Sequence, residues 1–318
     1  MLIFDAHCDT LEKIYDSAAS GAYGQGLFCN DFSLDLKRLQ YPRIQVFAVF
    51  TDPKYEECPG YRERAKNMLD KFYSELELNR DRLRLCLTEA DLNAEYGGKC
   101  LAMLSLEGGD ALEGGNDSVE VLREFYLRGV RSIALTWNNG NTFASGAFDT
   151  FDNGLTKTGE AVVDAMNELG MAVDISHLGH RSAAGVIEYS RKPVIASHSC
   201  SFYLNPHVRN ISDENAVKLA EKGGVVGVNF YPEHLSANKI ANIDTVAGHI
   251  EHLVSLIGPD AVGLGSDYDG ISEAAEGLET ADKEILLAEK LAALNYRSRD
   301  IENIMGYNFL RYYKGILM

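Results

Sequence analysis

The chain has 318 residues, 46% hydrophobic and 24% charged, the balance of a globular protein able to bury a substantial core. Its 47 acidic residues outweigh 30 basic ones, for a net charge of −17. Such a surface repels phosphate backbones and anionic lipid, so nucleic-acid binding is not expected. Six cysteines (Cys8, Cys29, Cys58, Cys86, Cys100 and Cys200) form no C-x-x-C pair and are too few for a disulfide scaffold. They read as reduced thiols in a cytoplasmic protein. No apolar run reaches the roughly 18 residues that span a bilayer, and a strand starting at Leu2 leaves no room for a signal segment, so no membrane association is expected.

In chain order, eight short β-rich runs recur: LIFDAH (2–7), IQVFAVF (44–50), LAMLSLE (101–107), VRSIALTW (130–137), MAVDISH (171–177), PVIASH (193–198), GVVGVNF (224–230) and AVGLGSD (261–267). They are apolar on both faces, as parallel strands covered on both sides must be. Helical periodicity fills the gaps, as in TGEAVVDAMNELG, and Gly129, Gly170, Gly223 and Gly258 stand where a helix should stop before the next strand. Eight strand–helix units with right-handed crossovers predict an α/β fold, a (β/α)8 TIM-type barrel, as a single domain over 1–318. A doubly wound open sheet is the competing fold.

Chemistry in such a barrel sits at the C-terminal ends of the strands. The first run ends in His7, with Asp9 on the same face of an extended chain and Cys8 turned away. The third ends in Glu107, the fifth in His177, the sixth in His198 and the eighth in Asp267. Each alone is compatible with a structural strand end; together they suit a pair of divalent metals, zinc first, with manganese or cobalt as alternatives. One ion would take His7, Asp9 and Glu107, the other Glu107, His177 and His198, with Glu107 as the bridge. A shared water would become the nucleophile and Asp267 would accept its proton.

FDAHCDT, SLEGGDAL, GLTKTGEAVVDAMNELGMAVDISHLG, PVIASHSCSFYLNPHVRNISDE, GGVVGVNFYP and AVGLGSDYDGI together resemble the membrane (renal) dipeptidase family of binuclear zinc peptidases, within the amidohydrolase-type barrels. The resemblance implies two Zn2+ per subunit, the same five ligands, Asp267 as acid/base, and Arg209 gripping the carboxylate of an unblocked dipeptide. It also implies tolerance of a C-terminal D-residue, and a homodimer. One departure stands out. Where better-known members end strand four in L-T-H, this chain reads LTWNNGN, placing Trp137 where a histidine helps to stabilise the oxyanion. An indole donates one hydrogen bond but carries no charge. Asn138 or Asn141 is expected to take over part of that contact.

Other histidines carry less. His249 and His252 are read as a solvated helix face, His180 and His207 as neighbours of the pocket, and His234 has no assigned part. Asp269 is expected to orient a neighbour, and Asp5 to point inward below His7. No phosphate-binding glycine motif, G-x-S-x-G or H-E-x-x-H is present. Three functions are distinguished: a metallodipeptidase, a hydrolase of another amide, lactam or lactone on the same scaffold, and a barrel that binds a peptide-like ligand without turnover.

Overall fold

In the computed structural model, residues 1–21, 24–50, 60–94, 98–113 and 117–318 are described, so Cys58 lies outside the described residues. The strands are β1 (Ile3–Cys8), β2 (Arg43–Phe50), β3 (Leu83–Leu85), β4 (Cys100–Glu107), β5 (Val130–Ala134), β6 (Ala172–Asp174), β7 (Ile195–Ala196), β8 (Val225–Val228) and β9 (Val262–Leu264). All pairings between them are parallel. They run β2-β1-β9-β8-β7-β6-β5-β4, and a further β2–β4 pairing closes that series into an eight-strand ring with helices outside. An open doubly wound sheet is thereby excluded, and the (β/α)8 barrel stands.

β3 was not anticipated. It pairs with the first residues of β4, Leu83 opposite Cys100 and Leu85 opposite Ala102. β2 occupies one edge of β4 along Leu101–Glu107, so β3 and β5 share the other, with β5 taking Leu104–Glu107. Three residues between two helices carry no periodicity of their own, which is why the sequence hides them.

Side chains alternate across the ring. Phe4, Ala6, Ile44, Val46, Met103, Ala172, Ile195 and Val225 meet from strands all round it and form one buried cluster with Phe309 and Tyr313 of the last helix, Asn308–Ile316. Phe4 stacks on Tyr313, with ring centroids 5.4 Å apart, and closes the floor of the barrel. Alternate residues such as Ile3, Phe47, Val49 and Leu104 face the helices in a second, larger cluster. The two-sided apolar pattern of the runs is the signature of these two layers. The seam between the first and last strands is β1–β9, with Asp5 opposite Leu264 and a bridge from Cys8 to Tyr268.

Several expected strands outrun the observed ladders. β5 stops at Ala134, β6 at Asp174, β7 at Ala196 and β9 at Leu264, and the residues beyond turn over the mouth. Two of these overshooting ends, His177 and Asp267, have positive φ (71° and 63°), as does Asp269 (71°). For residues with a side chain that backbone costs about 1–3 kcal/mol each and clusters at functional sites. All four expected helix-stopping glycines also have positive φ; Gly170 closes helix Lys157–Leu169 in the left-handed conformation. Among the described residues, no helix is long and apolar enough to cross a membrane.

Candidate metal centre

The H-x-D run meets its site through an irregularity. The register of β1 against β2 shifts between Asp5 and Cys8. Ala6 faces the barrel interior, Cys8 packs in the outer layer, and His7 and Asp9 both reach the mouth. Asp5 does not point inward as expected. It lies between inward-facing Phe4 and Ala6 and so joins Arg43 and Gln45, whose neighbours Ile44 and Val46 are likewise inward. From there its Oδ1 accepts the backbone N–H of His7 (3.4 Å) and of Ser266 (2.8 Å), bracing both strands that carry the site.

Three interlocking groups of ligand atoms converge at the mouth: His7, Asp9 and Glu107; Glu107, His177 and His198; and His7, His198 and Asp267. Glu107 divides its oxygens. Oε2 lies 3.4 Å from His7 Nε2, while Oε1 lies 2.7 Å from His177 Nε2 and 3.7 Å from His198 Nε2. His7 Nε2 is also 3.2 Å from Asp9 Oδ2 and 3.9 Å from Asp267 Oδ1. All six side chains are buried.

The electrostatics is that of a cation site. Burial pushes the His177 imidazole down to about 3, with the Arg209 guanidinium adding to the effect. Burial and then His7 hold His198 well below its ordinary value. Both rings are therefore neutral. His177 Nδ1 lies 3.0 Å from Asn138 Oδ1, which fixes the ring with Nε2 toward the centre. That Nε2 lies 2.9 Å from His198 Nε2 and 2.7 Å from Glu107 Oε1, so the ligand atoms of three side chains converge on one point. On the other side, burial disfavours a charged His7, but Glu107 and Asp9 raise it well above its usual value. Burial works to raise Glu107 as well, yet His7 and His177 hold it well below the carboxylate range. Asp9 Oδ1 is buried with no hydrogen-bond partner among the described residues. Gly270 leaves room beside it: an added Cβ would stand 2.2 Å from Asp9 Oδ2 and 2.6 Å from Asp267 Oδ1. The donor set of imidazole and carboxylate fits divalent metal.

A cavity of about 220 Å³ opens over these atoms. Arg209, Trp137 and Asp267 line it, as does Asn138. Arg209 Nη2 is 2.9 Å from His198 Nε2. Asn141 does not take part: its Nδ2 donates to the Leu135 carbonyl (2.8 Å) and its Oδ1 accepts from Phe143 N–H (3.0 Å), so both ends of the amide are spent on the turn. Burial lifts the Asp267 carboxyl to about 6, and Asn229 Nδ2 holds its Oδ2 at 2.7 Å, leaving Oδ1 toward the centre. Asp269 accepts from Thr10 Oγ1 (2.6 Å) and Ser33 N–H (2.8 Å), tying the mouth to the segment after β1.

His207 and the unassigned His234 both line the cavity, with ring centroids 4.7 Å apart. His180 does not line it and packs edge-on against Phe202. His249 corrects the solvated-face expectation. It is buried, accepts Ser201 N–H at Nδ1 (3.0 Å) and pairs through Nε2 with the Leu235 carbonyl (2.9 Å). His252, half-buried, pairs with Asp213. Asn138, Asn229 and His234 are the residues that sequence reasoning left without a firm place. Their partners lie across strand ends, and nothing in local spacing reveals them.

Comparison with known proteins is consistent along the chain. The family model described as membrane dipeptidase (peptidase family M19) matches residues 1–316. An uncharacterized dipeptidase of Schizosaccharomyces pombe is 38% identical over 236 residues, covering 72% of this chain and 56% of its own length. Human dipeptidase 3 is 34% identical over 251 residues, covering 77% of this chain and 49% of its own. The chain thus spans about half the length of these curated relatives. A metallopeptidase of Rhodobacter sphaeroides, solved with a phosphinate mimic of the dipeptide L-Ala-D-Ala, superposes with a TM-score of 0.89 at 23% identity, covering 100% of this chain and 99% of that one. A dipeptidase of family M19 does so with a TM-score of 0.88 at 24% identity, over 100% and 99% of the two chains. Both share the fold.

Proposed function

The chain belongs to the membrane dipeptidase family, peptidase family M19, and from that premise we propose that it hydrolyses the peptide bond of small unblocked dipeptides, including those with a C-terminal D-residue. Its ligands His7, Asp9, Glu107, His177 and His198 would hold two zinc ions. The observation that carries this reading is the division of Glu107, one oxygen toward His7 and the other toward His177 and His198. When bound, the ions would polarise the scissile carbonyl and acidify a water to a pKa of about 7.

The protein's own groups supply the rest. Asp267, lifted to about 6 and presenting Oδ1, takes the proton of the attacking water and returns it to the leaving amine as the C–N bond breaks. Arg209 meets the terminal carboxylate with two parallel N–H donors. A cavity of about 220 Å³ favours a ligand no longer than two residues. The reading extends to a homodimer, the usual form in the family, and to the cytoplasm, with which the five free cysteines among the described residues agree.

The test is cleavage of L-Ala-L-Ala and L-Ala-D-Ala by the zinc-loaded protein, with an N-acetylated control and a chelator arm. Chelator-sensitive cleavage of the free dipeptides alone is expected. Cyclic amides turning over far faster than dipeptides would replace this reading with the lactam or lactone hydrolase.

A further inference from the structure

Resting on the dipeptidase reading, we propose that Phe50 and Trp137 form the subsite for the N-terminal side chain of the dipeptide and select large apolar residues there. The ring supplies the direction. In the closed order β1-β2-β4-β5-β6-β7-β8-β9, β2 stands half-way round from β7. β7 leads into His198 and then Arg209, so the carboxylate end of the substrate lies on that side. With the scissile carbonyl at Glu107 in the centre, the N-terminal residue crosses toward the end of β2.

Phe50 is the last residue of β2, paired in register with Glu107, and lines the cavity. Trp137, beyond the end of β5, packs against it with ring centroids 5.1 Å apart at 53°. Trp137 is also 6.2 Å from the ring of His177, which brings the aromatic pair to the edge of the reacting centre. Of the acids lining the cavity, Glu107 ends β4 beside Phe50 and Glu233 follows β8, while four gather on one side: Asp9 and Glu12 follow β1, and Asp267 and Asp269 follow β9. An α-ammonium group is thus drawn to the β9–β1 side, while the side chain on the same Cα turns to the aromatic wall. Phe148, by contrast, lies against His207 on the Arg209 side and faces the C-terminal residue. Lys13 lines the mouth next to Glu12, so a preference for acidic N-terminal residues is the main competitor.

Two substrate series decide it: X-L-Ala with X as Gly, Ala, Leu, Phe, Asp or Lys, and the mirror series L-Ala-X. In the zinc-loaded wild type, kcat/KM in the first series is expected to rise about tenfold or more from Gly to Leu or Phe, as added methylenes are buried. Phe50→Ala and Trp137→Ala should flatten that series and leave the slope of the second series unchanged. Melting curves check the fold, with Phe50→Leu and Trp137→Leu as milder replacements. A flat wild-type series, a slope that survives both substitutions, or Asp as the best X would overturn the subsite. If no dipeptide is cleaved, the hydrolase reading itself falls. The subsite is then read from calorimetric binding of phosphinate dipeptide mimics with small or benzyl N-terminal side chains, where equal affinities would overturn it.

Discussion

Two buried clusters of charge lie two residues apart on β1, and they are built to opposite plans. Around Asp5, every acceptor meets a donor. Its oxygens take N–H and O–H groups from His7, Ser266, Gln45 and Arg43, and Arg43 spans on to Glu284 in a fully buried pair. Around Glu107, five ligand side chains and Asp267 turn their atoms to one point, and Asp9 Oδ1 meets no donor among the described residues. Burial alone therefore does not mark a functional site. What marks it is the convergence of imidazole and carboxylate ligand atoms together with an unpaired carboxylate oxygen, a costly arrangement that a bound cation would relieve.

The sharpest way to break this contrast is Glu107→Gln. Removing the charge that both ligand groups share should cost on the order of 10³-fold or more in kcat/KM. Metal per subunit, measured by mass spectrometry, should fall, while the metal-free melting temperature is not lowered. A variant that keeps the wild-type metal content and full turnover would remove Glu107 from the proposed bridge. Arg43→Met tests the closed cluster. It leaves Asp5 and Glu284 without their shared cation and should destabilise the fold by about 3–5 kcal/mol in denaturant titration, with the metal content of the folded protein unchanged. A smaller effect is expected at Gly270→Ala, whose methyl enters the space beside Asp9 and Asp267 and should weaken metal binding about 10–100-fold. Gly248→Ala is its control: it lies within helix Ile243–Ile257 with nothing within 4 Å of an added Cβ, so stability should rise by up to about 1 kcal/mol with metal affinity unaltered.

The sequence made the eight barrel strands legible because two-sided burial writes continuous apolar runs, and the site candidates legible because each stands at the end of such a run. It hid what depends on partners across the fold. MAVDISH reads as one strand, yet the ladder ends at Asp174 and the positive φ of His177 bends the end over the mouth. His249 looked solvated because helical spacing cannot show a carbonyl from another segment, here the end of helix Pro232–Leu235. Asn141 and Asn138 looked interchangeable; only the turn that consumes one amide and frees the other tells them apart.

The β1–β9 seam sets an order in time. Asp5 and Ser266, which lock it, are 261 positions apart in sequence. A ribosome adding 5–20 residues per second takes on the order of tens of seconds to cover that interval. Throughout it, His7 and Asp9 wait on a strand with one edge unpaired, while Glu107, His177 and His198 emerge in turn. The centre straddles the closure, with His7 and Asp9 on one side and Asp267 on the other, so it is among the last parts of a newborn molecule to be completed.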